Sequence, residues 1–171
     1  THTPLASRFP NNPNIYTCTS PGKTFNLSGN NLANIITYDS TLLHLWAKNF
    51  HDSPSPLAVA ATQAAYTFCD QWVDELCAYL DENFQYLQDF LESRLPKAHF
   101  RIPEGMYLAW IDFSSYEPDA DKLYHKLCVD AGVVVQSGSH FHSDLKGYIR
   151  MNIACPRSVL SEALNRIADV L

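Results

Sequence analysis

The chain has 171 residues, 46% of them hydrophobic and 18% charged, and a formal net charge of −6. That composition predicts a packed core rather than disorder, and the length suits one ordinary domain or part of a larger protein. An acidic chain with no basic stripe argues against nucleic acid or an anionic membrane as partner, and no apolar run reaches the ~18 residues of a membrane span.

Residues 1–14 are rich in Pro and Asn and read as loop. IYTCT (15–19) is β-branched and aromatic and predicts a strand; the turn-rich SPGKTFNLSGNN follows, and NLANIITY (31–38) predicts a second strand. Asp39 and Ser40 are N-cap candidates for a short helix, TLLHLWAKNF. SPSP (53–56) breaks the chain, and a boundary is expected near 51–56. Apolar residues then recur at helical spacing from Leu57 to Leu91, predicting a long amphipathic stretch that ends near Pro96, with Asp70 as a cap for a second segment within it.

From Ala98 the period changes. HFRI and MYLAWIDF predict strands around the turn Pro103-Glu104-Gly105. DADKLYHKLCVDA predicts a helix, capped by Asp119 and stopped by Gly132. VVVQ (133–136) and YIRMNIA (148–154) predict strands on either side of the loop SGSHFHSDLKG, and PRSVLSEALNRIADVL predicts a closing helix with Pro156 at its start. The second half is thus expected to be α+β, a small sheet packed by helices.

Five cysteines (18, 69, 77, 128, 155) form no Cys-x-x-Cys pair, which predicts reduced thiols and a cytoplasmic protein. No positively charged stretch leads into an apolar segment, so a signal peptide is not expected. His140 and His142 without a nearby Cys or carboxylate cluster fall short of a zinc site, and no metal is expected. Cys155, at the end of an apolar strand, reads as a packing residue rather than a nucleophile.

SPGKTFN (20–26) ends like a phosphate-binding P-loop, but Thr17 stands where the first glycine of Gly-x4-Gly-Lys-Ser/Thr belongs, and the following residues are poor helix formers. Lys23 nevertheless sits among residues suited to a built site: Ser20 offers a hydroxyl, Pro21 stiffens the turn, Gly22 leaves room, and Thr24, Phe25 and Leu27 can anchor the loop. In YIRMNIA, Tyr148, Arg150 and Asn152 share one strand face and Ile149, Met151 and Ile153 the other, so Arg150 must face water or a polar site. A guanidinium there suits a carboxylate through two parallel hydrogen bonds.

The segment SPGKTFNLSG resembles the cofactor-lysine segment of fold-type I pyridoxal-phosphate enzymes. More narrowly, it is similar to the cystathionine β-lyase (MalY/PatB-like C–S lyase) branch of the class I/II aminotransferases. SPSPLAVAATQAAY, DELCAYLDENFQYLQDFLESRLP, PEGMYLAWIDF and YIRMNIACPRSVLSEAL match in the same order, so the resemblance covers nearly the whole chain. It implies an α/β fold in which residues 1–50 end a large cofactor domain and residues 51–171 form a linker helix and a small C-terminal domain.

The resemblance also implies roles. Lys23 would bond covalently to pyridoxal 5'-phosphate and move a proton, Ser20 would hold the phosphate, and Arg150 would grip the α-carboxylate of a small amino-acid substrate. Gly105 and Tyr107 would lie near that substrate. Related aminotransferases often carry a second phosphate-binding arginine eight residues after the lysine; here that position is Asn31. Relatives usually have Gly after the Phe of the QSGSHFHSDLKG loop, where this chain has His142. The acidic partner of the pyridine nitrogen and the aromatic over the ring precede the lysine by many residues in the family. None of the 22 residues before Lys23 fits either role. A C-terminal portion of a homodimeric enzyme is therefore expected, with little cofactor affinity of its own. The expected reaction is β-elimination from a sulfur amino acid. Transamination with the same residues and a truncated, non-catalytic domain are the rivals.

Overall fold

The computed structural model describes residues 3–49 and 54–171. Contacts divide the chain into two units, Thr1–Glu75 and Leu76–Leu171. The boundary expected near 51–56 falls partly on residues 51–53, outside the described residues.

The first unit begins with a helical turn, α1 (Leu5–Arg8), inside the stretch expected to be loop; the Ser7 hydroxyl and amide both bond the Pro4 carbonyl and close it locally. Strands β1 (Tyr16–Thr19) and β2 (Asn34–Thr37) pair antiparallel, Tyr16 opposite Thr37 and Thr19 opposite Asn34. The second strand is shorter than expected because Asn31 takes a left-handed conformation (φ 47°), which ends extended pairing there. Between the strands, Pro21–Thr24 forms a single helical turn, α2, where a loop was expected. Ser20 caps it through its hydroxyl, Pro21 supplies a fixed φ at the first position, and Asn26 (φ 54°) follows its end.

Asp39 caps α3 (Ser40–Asn49): its Oδ1 accepts from the amides of Thr41 (2.9 Å) and Leu42 (3.0 Å), while Oδ2 accepts from the Tyr16 hydroxyl at 2.6 Å. The expected last residue of that helix, Phe50, lies outside the described residues. The Tyr16 hydroxyl, and then the Leu42 amide, hold the Asp39 carboxyl below the usual carboxylate range; the same bond raises the Tyr16 phenol. With a depressed folded value, the contribution of Asp39 to stability is present above the unfolded value near pH ~4 and is lost as pH falls through the folded value. Tyr16→Phe is therefore expected to move the Asp39 titration back toward the ordinary value, read from its carboxyl carbon by NMR. An unmoved titration would show that the bond has no electrostatic weight.

The long apolar stripe forms two helices, α4 (Pro56–Phe68) and α5 (Asp70–Arg94), interrupted at Cys69. Asp70 opens the second, where a carboxylate faces the positive end of the helix dipole. Residues Leu80, Phe84, Leu87 and Leu91 of α5, spaced four, three and four apart, face the core of the second unit.

That core is completed by an antiparallel sheet of order β3-β4-β6-β5 and by two further helices. Its strands are β3 (His99–Phe100), β4 (Leu108–Asp112), β5 (Gln136–Ser137) and β6 (Tyr148–Asn152). The helices are α6 (Ala120–His125), continued by a π-helical turn at Lys126–Asp130, and α7 (Arg157–Val170). Ala109 and Ile111 of β4 and Ile149 and Met151 of β6 are buried with Leu160, Leu164 and Ile167 of α7, so one face of the sheet is covered.

Asp119 caps α6 as expected, with Oδ1 accepting from the Asp121 and Lys122 amides. These bonds, the Lys122 one foremost, hold its carboxyl below the usual range. The expected strand 133–136 is mostly absent. Gly132 turns left-handed (φ 66°) to close the helix, and Val133 spends its amide on the Leu127 carbonyl (2.8 Å). Only Gln136 and Ser137 remain to pair, opposite Arg150 and Ile149.

Candidate functional site

Lys23 lies in the first unit, exposed, on the one-turn helix α2. Its neighbours Pro21 and Gly22 are buried, and Phe25 fixes the segment by packing edge-on against Tyr66 (5.5 Å) and stacked near Trp72 (6.3 Å). Phe25 and Leu27 are half-buried, as an anchoring role needs, whereas Thr24 is exposed. A Cβ at Gly22 would come within 3.2 Å of the Ser20 hydroxyl and 3.3 Å of the Ser28 backbone. Glycine therefore lets the two serines close around the turn.

The Ser20 hydroxyl accepts from the Gly22 amide (3.1 Å) and donates to the Leu32 carbonyl (3.0 Å), and Ser28 donates to the Gly22 carbonyl (3.1 Å). Ser20, Lys23, Ser28 and Asn31 line one cavity of about 340 Å³ with Gly22 and Leu27. Asn31, eight residues after Lys23, has a left-handed backbone (φ 47°), which favours asparagine over a long side chain. The structure thus brings Ser20 and Lys23 to one cavity.

Gly105, Tyr107 and Arg150 lie in the second unit. Gly105 is exposed with open space around it, and the left-handed residue of its turn is Met106 (φ 73°). Tyr107 is half-buried against the core, and its carbonyl accepts from the Ile153 amide (3.0 Å), which extends the β4–β6 pairing by one bond. Arg150 is half-buried on the polar face of β6, with Ile149 and Met151 buried on the other face. Its Nε donates to Gln136 Oε1 at 2.8 Å, and its Nη2 donates to the same oxygen. The guanidinium carbon stands 4.7 Å from the centre of the Phe141 ring. Trp110, opposite Arg150 on β4, meets Phe141 edge-on at 5.4 Å and stacks near Tyr148 at 5.9 Å.

Sequence reasoning missed Gln136, Phe141 and Trp110 because they reach Arg150 from three separate segments. The nearest signal was the short strand before SGSHFH, whose register no single sequence prints. It also missed Gly138, where a Cβ would fall 2.7 Å from the Tyr148 Cβ and collide with the Leu145 carbonyl. Glycine there draws the Phe141 turn tight against β6. His142 accepts from the Asp144 amide at 3.3 Å, closing the far side of the same loop. Among the described residues no cluster of three His, Cys, Asp or Glu is placed to hold a metal, and no helix is long and apolar enough to cross a membrane. Burial pushes the Cys155 thiol up, away from nucleophilic character.

Residues 3–167 match the family model described as aminotransferase class I and II. The chain is 31% identical to cystathionine β-lyase PatB of Bacillus subtilis, over 99% of this chain and 45% of that protein. It is 31% identical to protein MalY of Escherichia coli over 90% of this chain and 40% of that protein. Among solved structures, a PLP-bound C–S lyase of Staphylococcus hominis complexed with L-cycloserine matches with 40% identity and a TM-score of 0.90, over 99% of this chain and 42% of that one. The chain therefore spans less than half the length of these relatives. The family and the fold expected from SPGKTFNLSG and YIRMNIACPRSVLSEAL are the ones found, and the relatives matched include proteins named as cystathionine β-lyases and C–S lyases.

Proposed function

Because the chain belongs to the class I and II aminotransferase family, we propose that it is the C-terminal part of a pyridoxal-phosphate-dependent C–S β-lyase. Its reaction would split a cystathionine-like amino acid into a thiol, pyruvate and ammonia. The observation that carries the reading is the state of Arg150: among the described residues its hydrogen-bond and ring partners are a neutral amide and an aromatic ring, with no carboxylate. By contrast, Arg94, Arg157 and Arg166 each lie beside an acidic residue. A half-buried guanidinium without a counter-ion favours an anionic ligand. Relatives named as cystathionine β-lyases and C–S lyases support the branch.

The residues beside Lys23 fit the cofactor. An exposed amine, two hydroxyls and the Asn31 amide line one cavity, a donor set suited to an aldehyde-bearing phosphate. A hydroxyl turns freely about its C–O bond, so Ser20 can exchange the Leu32 carbonyl for a phosphate oxygen. When bound, pyridoxal phosphate supplies an electron-withdrawing ring that makes the substrate Cα–H acidic. Lys23 in its neutral form takes that proton, and Arg150 holds the carboxylate so that Cα–H is oriented for removal. Gly105 and Tyr107 border the substrate in this reading.

Residues 1–50 would end the large cofactor domain, and residues 51–171 would form the linker helix and small domain. The first unit supports this, since Ile35 (40% exposed) and Ile36 (56%) present apolar side chains on both faces of a two-stranded ribbon. Such a ribbon suits the interior of a larger sheet. A cytoplasmic homodimer completes the proposal.

Borohydride reduction of the full-length enzyme followed by peptide mapping tests it. A pyridoxyl adduct on Lys23 is expected. An adduct on Lys48 instead, or none, would sink the assignment. Product analysis separates the rival chemistry: pyruvate with free thiol indicates elimination, and a keto acid with the thioether intact indicates transamination.

A further inference from the structure

Arg150 is held in a way that its role as an anion ligand does not by itself require. Gln136 and Arg150 are direct register partners on neighbouring strands, and Trp110 is the partner of Arg150 on its other side. The three side chains therefore form one row across the same face of the sheet. Gln136 Oε1 takes the Nε and Nη2 donors together, which is the side edge of the guanidinium. Phe141 covers one face of the group at 4.7 Å and is itself braced edge-on by Trp110. Among the described residues no hydrogen bond is made by Nη1, so the outer edge, formed by Nη1 and the second Nη2 hydrogen, stays open as the remaining edge that can make a bidentate pair with a carboxylate.

We propose that Gln136 is a positioning residue: it holds Arg150 by its side edge against Phe141, aims the outer edge at the substrate carboxylate, and leaves the positive charge uncompensated because it is an amide. This rests on the carboxylate-binding reading of Arg150. The neutrality matters as much as the bond. A carboxylate at position 136 would hold the guanidinium equally well but would cancel the charge that attracts the substrate. A shorter or apolar side chain would leave the charge and release the aim. Gln136 is exposed, so substitutions there spare the core.

Two isosteric substitutions separate these effects in the full-length enzyme. Gln136→Met keeps the shape and removes the acceptor; the expected result is a KM raised roughly tenfold with kcat changed much less, from the loss of the one acceptor that Nε and Nη2 share. Gln136→Glu keeps the acceptor and adds a charge; KM is expected to rise further at neutral pH and to fall back as pH drops and the introduced carboxyl takes a proton. A readout independent of turnover comes from the 171-residue chain labelled with ¹⁵N. The Arg150 Nε–H resonance, assigned by its disappearance in Arg150→Lys, should exchange slowly with water and should exchange fast in Gln136→Met.

Arg150→Ala separates the two levels of the claim. If it leaves KM unchanged, the carboxylate reading falls and the proposal falls with it. If it raises KM while both Gln136 variants behave like the unsubstituted enzyme, Arg150 keeps its role and the positioning role of Gln136 is refuted. A Gln136→Glu KM that ignores pH would equally refute the role given to neutrality.

Discussion

Replacing Lys23 by alanine is expected to lower kcat of the full-length enzyme by about 10³-fold or more, the range that loss of a positioned proton-transfer group produces. The effect should be chemical rather than structural. Lys23 is exposed, and the turn that carries it is held by other groups: the Ser20 cap, the buried Pro21 and Gly22, and Phe25 against Tyr66 and Trp72. Hydrogen exchange of the 16–37 hairpin should therefore be unchanged in the variant. Lys23→Arg should be as inactive as the alanine variant, because a guanidinium stays protonated and cannot accept the Cα proton. An added small primary amine should recover part of the alanine variant's rate and none of the arginine variant's. Retention of a tenth of the activity in Lys23→Ala would remove the residue from the chemistry.

What the sequence revealed about the site follows from how local each feature is. Ser20, Pro21, Gly22 and Lys23 fit in a single turn, so their juxtaposition was legible from spacing alone. The two-residue alternation of YIRMN put Arg150 on the polar face, and the burial of Ile149 and Met151 agrees. The groups that act on Arg150 were not legible: Trp110, Gln136 and Phe141 arrive from β4, β5 and the turn after it, and strand register has no signature in one sequence. Gln136 was also obscured by a wrong expectation. The run VVVQ has strong β-propensity, yet Gly132 ends the preceding helix by drawing Val133 into its closure, and the strand starts three residues later than the pattern suggests. The π-helical turn at Lys126–Asp130 and the left-handed Met106 were likewise not expected from the sequence.

Asn83 leads to the second large effect. It is fully buried in α5, and its amide nitrogen donates to the carbonyls of Ile153 (2.9 Å) and Cys155 (3.1 Å) while its oxygen accepts from Arg157 Nε (2.7 Å). One side chain thereby satisfies the connection between β6 and α7, where Pro156 cannot donate and where Tyr79 receives the Arg157 amide at 2.7 Å. Tyr86 lies under the same arginine, 4.8 Å from its guanidinium carbon. Asn83→Ala would leave the Ile153 carbonyl buried without this donor and would weaken the hold on Arg157. The expected cost is about 3 kcal/mol, from one unsatisfied buried acceptor and a small cavity. Asn83→Asp should also be damaging at neutral pH, because it sets an acceptor against two carbonyls even though it keeps the Arg157 bond. Burial and the facing carbonyls would push its pKa up and the Arg157 guanidinium would pull it down, so a penalty that shrinks as pH falls would show that the carbonyls dominate. Hydrogen exchange of the β4–β6 amides reads both effects within the second unit. Because β6 also carries Arg150, the alanine variant should in addition raise KM without a matching fall in kcat. Protection within about 0.5 kcal/mol of the unsubstituted chain would mean that the junction is held by its apolar neighbours and that the buried amide contributes little.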